Sequence, residues 1–414
     1  MSETSHVYPT YVPSESLVQD LKDFICRNDE RLTKFNNAVE TAVEDAPRDM
    51  GAEGISTLDN FLQYCDDLLR WVPKVSSTGD EMLRKILVFY WVIDQPEVRD
   101  LQTPISPENS NTDLNWLSYW LVCFARQQGQ YLSTPESAAA VYTFYINDKY
   151  NKEAKKWEEP KDGWLSFNHW FARRWKNINR ARPVASPNNP NVIVHPADSI
   201  YDGSWPIENG IVEIKIKGVE ISWPIKDLLR VQDNDTTWNQ GQFMHAFLGP
   251  SDYHRQHSPV TGKVVEVRKI QNQVYLQVAQ KQGEDTIFAD RAILRAPEEV
   301  ERRKGARIQS NEDLDAPDEA GYQWCQTRGL IIIDTAGYGN HGKVAILPIG
   351  MAHVSSVVMC VNKDDVVKKG DTISYFQFGG SDCVVVFEKQ VRFREDLVPG
   401  KTKILVREKL ATFE

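Results

Sequence analysis

With 414 residues, 58 acidic against 48 basic side chains and a net charge of −10, the chain has material for two or three domains and lacks the basic excess of a general nucleic-acid binder. Its six scattered cysteines (Cys26, Cys65, Cys123, Cys325, Cys360, Cys383) form no C-x-x-C pair and read as small buried hydrophobes in a reducing compartment. The opening MSETSHVYPTYVPSES has no basic-then-apolar signal pattern, and the apolar run ILVFYWVI (86–93) is far shorter than the roughly 20 residues of a spanning helix. The expectation is a soluble, cytoplasmic protein with no integral membrane segment.

The first half reads as helical. Apolar residues recur from Leu17 at Leu21, Phe24 and Ile25, and a second stripe runs Leu58, Phe61, Leu62, Cys65, Leu68, Leu69. Further helices are expected near 80–94, 112–128 and 135–148, the last with Thr134 as N-cap and Pro135 at the first helical position. The polar stretch YNKEAKKWEEPKD (150–162) marks a boundary, giving a helical N-terminal domain over 1–155 and a catalytic domain over 156–414. Beyond it come short β-branched runs: VIV (192–194), GIVEIKIKG (210–218), KVVEV (263–267), VYLQV (274–278), LIIID (330–334), KVAILPI (343–349), VSSVVMCV (354–361) and CVVVF (383–387). The fold class is therefore α+β, helices first and a β-rich domain after. A charged, apolar-poor segment (281–327) interrupts the strands and reads as a flexible loop, with a functional lid as the other option.

Three segments carry residues capable of chemistry. In FGGSDCVVVFE (378–388), two glycines lead into Ser381 and then an apolar strand, which by itself describes a turn. It is not a hydrolase elbow, because G-x-S-x-G needs glycine where Cys383 stands. In HAFLGPSDYHRQHSPVTGKV (245–264), His245, His254 and His257 raise a metal reading. H-x-x-H alone is weak, however, and a third ligand so far upstream is no recognised metal spacing, so no metal is expected. Acid–base work by at least one imidazole, or plain structural histidines, are the alternatives. In VIVHPADSI (192–200), a strand and proline turn present Asp198, a residue type that more often forms turns than performs catalysis.

Together, HPADS, DYHRQHSPVTG and FGGSD resemble, in order, the S-P-A-D-G, D-Y-H-R-x-H-x-P-x-x-G and terminal G-S motifs of the phosphatidylserine decarboxylase family. WFARRWKNINRARPV (170–184), IKGVEISWPIKDLL (216–229) and VVKKGDTISYFQFGGS (366–381) are similar to further family segments, so the likeness covers about 160–410. The helical half is loosely similar to fungal soluble relatives, among them tryptophan decarboxylases. The resemblance implies a covalent pyruvoyl group made from Ser381 by cutting the Gly380–Ser381 bond, leaving chains 1–380 and 381–414. It further implies that His257 is the base for self-cleavage, that Asp198 orients His257, and that His254 assists decarboxylation and reprotonation. Substrate would join the pyruvoyl carbonyl as a Schiff base and lose carbon dioxide, making the protein a carboxy-lyase. Two positions depart from the pattern: Ser199 replaces a glycine, and Asp382 stands where threonine or serine is usual. With no membrane anchor visible, the expected partner is a small-molecule amino acid, aromatic and tryptophan-like. Phosphatidylserine is the alternative substrate, and a binding relative that never matures is the alternative from another class.

Overall fold

The computed structural model describes residues 7–216, 219–282, 285–288, 314–315, 320–352, 356–378 and 381–414. Helices come first. Ser16–Cys26 buries Val18, Leu21 and Ile25, and Leu58–Leu69 buries the expected stripe behind Thr57, whose hydroxyl accepts from the Asn60 N–H. Glu81–Ile93 and Trp116–Tyr131 lie where the periodicity places them. Asp29–Asp45, not foreseen, is capped by Asn28 and buries Leu32, Phe35, Ala38, Val39 and Ala42. The helix expected at 135–148 is instead a 3₁₀ turn, Pro135–Ala138, and a short helix, Tyr142–Ile146. The Ser137 hydroxyl donates to the Leu132 and Thr134 carbonyls and accepts from the Phe167 N–H, so local bonding competes with the helix. Short helices continue past the polar stretch, at Phe167–Phe171 and Ile178–Ala181.

Strands follow from Val192. The largest sheet has ten strands, and its path runs Val366–Val367, Gly262–Ile270, Arg328–Asp334, Lys343–Gly350, Ser381–Phe387, Gln240–Leu248, Ser199–Glu208, Ile211–Ile216, Val219–Pro224, with Lys403–Ile404 pairing Ser199–Glu208. All its pairings are antiparallel. Ser381–Phe387 is buried at every residue, as its unbroken apolar run demands of a strand covered on both faces. A three-stranded sheet joins Val357–Met359, Thr372–Phe376 and Arg255–His257, and another joins Val192–Val194, Lys409–Phe413 and Val391–Phe393. One hydrophobic core, from Val18 to Phe413, runs through the helices and the sheets.

The run 274–278 is buried but is not a strand. The Tyr275 N–H donates to the Gln326 side-chain oxygen and its carbonyl accepts from the Gln326 amide, so a side chain takes the place of a neighbouring strand. Of the interruption at 281–327, the described part pairs Ala279–Gln282 with Asp285–Phe288 and with Leu314–Asp315, then enters the core as the buried turn Tyr322–Cys325. The rest of that segment, with Gly380 at the expected cleavage site, lies outside the described residues.

Candidate active site

Ser381 opens the central strand of the large sheet, opposite Leu248 on one side and Gly350 on the other. It is fully buried, and among the described residues its hydroxyl has no hydrogen-bond partner. A buried hydroxyl without a partner is costly, so this position is set by more than packing.

The histidine segment lies against the approach to this serine. Arg255–His257 pairs with Thr372–Phe376, and the Phe376 N–H donates to the His254 carbonyl at 2.9 Å. Residues three apart on a strand face opposite ways, and the two rings have different surroundings. His254 stacks on Phe171 at 3.8 Å, and Phe171 in turn meets the edge of Phe378, just ahead of Ser381. Both ring nitrogens of His254 are buried without partners. Burial, reinforced by Arg173 and Lys403, holds its pKa well below the ordinary value, and nearby backbone groups of Gly249 and Asp252 oppose that shift without completing a hydrogen bond. The ring is thus a neutral imidazole with one N–H and one lone pair.

His257 shares its face with Tyr253. Its Nδ1 lies 2.7 Å from the Gly370 carbonyl and 3.3 Å from Arg407 Nε; the shorter contact, to an acceptor, places the proton on Nδ1, and Nε2 accepts from the Tyr253 hydroxyl at 3.2 Å. Gly370 has φ +88°, and a Cβ there would fall 2.6 Å from Val184, so glycine is required for the carbonyl that holds this ring. Burial pushes His257 down to about 3, with Arg407 and Arg255 adding to the effect against the Gly370 bond. Arg407 also donates to the Gly370 carbonyl, at 2.9 Å.

Asp198 is buried nearby, but its bonds go elsewhere. The Arg182 guanidinium grips both oxygens, at 2.6 Å in its shortest contact, and the Val406 N–H donates at 2.8 Å. The ring nitrogens of His257 meet Gly370 and Tyr253 rather than this carboxylate. Asp198 does bear electrostatically on Tyr253, whose hydroxyl is pushed up to about 12, chiefly by burial. Arg182 also holds Glu153, tying the segment before the strands to the Asp198 turn. Replacing Arg182 by Met strands a buried carboxylate, so unfolding free energy should fall by about 3–5 kcal/mol in urea titration.

Several contributors were not singled out in the sequence. Arg173 is buried against Trp157 and Trp170 and donates to the Ser251 and Asp252 carbonyls, fixing the turn before His254. Phe171, Tyr253 and Arg407 likewise act through long-range contacts. Their sequence signals were the segment 170–184 and, for Tyr253, the DYHRQH motif, whose likeness carried no role for these residues; Arg407 lies in neither. Ser199, one of the two departures, puts its hydroxyl 2.6 Å from Nε2 of buried His195, so it is absorbed by a local bond. His245 sits apart from the other two histidines, between Asp202 and Asp382.

The buried histidines set a pH window for stability. Burial holds His195 and His257 near 3 when folded, against about 6.5 unfolded. The unfolded chain therefore binds more protons between these values, and stability present above about pH 6.5 is lost as pH falls toward 3. His245 behaves oppositely: burial lowers it, but Asp382 and Asp202 outweigh this and raise it to about 10. Its contribution is complete below about pH 6.5 and is lost as pH rises through 10. Thermal unfolding from pH 4 to 10 should show Tm falling at both ends, and His245→Gln should flatten the alkaline limb.

Residues 167–412, more than half of the chain, match the family model described as phosphatidylserine decarboxylase. The chain belongs to the phosphatidylserine decarboxylase family. It is 32% identical over 247 residues to phosphatidylserine decarboxylase proenzyme 3 of Schizosaccharomyces pombe, covering 59% of this chain and 21% of that protein. It is 27% identical over 288 residues to the phosphatidylserine decarboxylase proenzyme of Fusobacterium nucleatum, covering 68% and 80%. Decarboxylase iboD of Amanita muscaria is 27% identical over 251 residues, covering 58% and 63%. The chain thus spans about a fifth of the yeast relative's length and four fifths of the bacterial one's. Among the described residues, no helix is long and apolar enough to cross a membrane.

Proposed function

We propose that this chain is a self-processing decarboxylase that converts Ser381 into a pyruvoyl group and removes the α-carboxyl of a soluble, aromatic L-amino acid. The observation that carries the reading is the buried Ser381 hydroxyl, without a partner among the described residues, following a strand (Thr372–Phe376) that pairs with the segment carrying two neutral imidazoles. These residues fit the group: Ser381 supplies its carbon skeleton, water supplies the ketone oxygen, and its position at the strand opening leaves the new chain end anchored by sheet pairing. The pyruvoyl group supplies a carbonyl that takes up the electrons left when carbon dioxide departs.

The remaining tasks fall to the protein. His257, neutral and with its Nδ1 proton committed to Gly370, has Nε2 as a basic atom for the serine proton during self-cleavage. Asp198 takes a positioning role through its field on Tyr253, which bonds that nitrogen. His254, on the other face, carries an N–H for returning a proton after decarboxylation. Phe171, Phe378 and Trp71 form an aromatic wall beside His254, which favours an aromatic substrate side chain.

Phosphatidylserine is the second reading, favoured by the names of the yeast and bacterial relatives. Purified, matured protein assayed for carbon dioxide release from free amino acids, tryptophan included, and from phosphatidylserine vesicles separates the two. Release from vesicles alone overturns the amino-acid reading. A wild-type chain that stays intact on incubation overturns the self-processing reading, and a non-maturing binding relative then takes its place.

A further inference from the structure

Asp382, directly after the cleavage serine, is a second buried polar group that the roles above leave unused. Strand alternation sends its side chain to the face opposite that of Ser381. There Oδ2 accepts from the Tyr322 hydroxyl at 2.6 Å and the Gln323 amide at 3.1 Å, and pairs with His245 Nε2 at 3.0 Å. The Gln323 nitrogen also lies 2.9 Å from that ring nitrogen, two donors converging on one carboxylate oxygen. On the ring's far side, Nδ1 lies 2.7 Å from Asp202, at the bulge between Tyr201 and Gly203 that turns this carboxylate toward the ring. Arg328, fully buried, donates to the Trp324 and Gln326 carbonyls and so fixes the turn that carries Tyr322 and Gln323. Asp382 Oδ1, by contrast, is buried with no partner among the described residues.

Two carboxylates flank one imidazolium, so the cluster carries one net negative charge, and its open oxygen is buried on the strand face opposite the Ser381 side chain. A buried anionic site of this kind is completed by a cation. Self-cleavage generates one at this place. The Ser381 Oγ bonds to the Gly380 carbonyl carbon, the bond from that carbon to the Ser381 nitrogen breaks, and the hydroxyl proton passes through a base to the nitrogen. The product is an ester bearing a free primary amine, which takes one more proton from water to become an ammonium. Exchanging an amide for an ester is uphill, and protonation of the freed amine draws it forward. The nitrogen belongs to the backbone, between the two faces of the sheet, and sits one residue from Asp382.

We propose that Asp382, held by His245, is the counter-ion for the amine released from Ser381 during self-cleavage. This rests on the self-processing reading above. It gives the departure at this position a purpose: the carboxylate stabilises the ester stage of maturation. The groups facing Asp382 are His245 from its neighbouring strand, Tyr322 and Gln323 from the buried turn, Asp202 behind the imidazole, and Cys383 on its own strand, whose thiol is pushed up by burial and by Asp382. Among the described residues, His245 is the cation paired with this carboxylate.

The test is a time course of cleavage in the full-length protein, followed by denaturing gel and by the mass of chain 381–414. Asp382→Asn should slow cleavage on the order of tenfold to a hundredfold at every pH. His245→Gln keeps the carboxylate but removes the titrating cation paired with it, so the pH profile of cleavage should shift from that of wild type. Neutral hydroxylamine attacks the ester and leaves 381–414 beginning with serine instead of pyruvoyl, and that fraction should fall in Asp382→Asn. If Asp382→Asn proves unfolded by near-ultraviolet circular dichroism, the His245→Gln profile decides alone. Cleavage at the wild-type rate in Asp382→Asn, or an unmoved profile in His245→Gln, overturns the proposal, including when later turnover is lost. Wild type that never cleaves fails the underlying reading instead.

Discussion

Ser381→Ala should give one uncleaved chain with no decarboxylase activity, where the wild type gives two chains on a denaturing gel. The substitution removes only an oxygen from a site that is fully buried and where that oxygen has no partner. Among the described residues no hydrogen bond is lost, so Tm should hold or rise slightly, while the hydroxyl that would attack the Gly380 carbonyl is gone. Loss of cleavage together with retained stability is the expected pair of readings. A cleaved Ser381→Ala chain would show that the group arises elsewhere.

The second large effect separates the two histidines. His257→Ala should block cleavage, because it removes the imidazole whose Nδ1 proton is held by the Gly370 carbonyl and whose Nε2, bonded by Tyr253, is the candidate base. His254→Ala should still cleave, yet lower kcat by about a hundredfold to ten-thousandfold, the usual range for losing a positioned acid–base group. The geometry supports this division. His254 lies in the aromatic wall beside Phe171, and His257 on the other strand face with Tyr253. The pair is read by gel for cleavage and by single-turnover carbon dioxide release for chemistry. If His254→Ala stays intact while His257→Ala cleaves, the two roles exchange.

The helices at Leu58–Leu69 and Glu81–Ile93 were legible because their apolar residues repeat with a helical period that packing then uses directly. The segment 135–148 shares the start signal of a helix, but Ser137 spends its hydroxyl on local carbonyls and on Phe167, a partner far along the chain. The run 274–278 has strand composition, yet its backbone is satisfied by the side chain of Gln326. Such outcomes depend on which distant group arrives first, and local pattern does not encode that.

The same division holds for the site. Sequence alone named Ser381, His254, His257 and Asp198, because chemistry restricts residue types and the motifs preserve their spacing. It also exposed Asp382 as a departure. What Asp198 and Asp382 touch was decided only by tertiary structure. The Asp198 carboxylate is taken by Arg182, and the Asp382 carboxylate by His245 and by Tyr322 from the far end of a long interruption. A carboxylate's role follows from the donors and charges around it, and in a sheet those come from strands distant in sequence. The chain's own order therefore marked which groups are candidates for chemistry, and the packing of the sheets decided which donors and charges surround them.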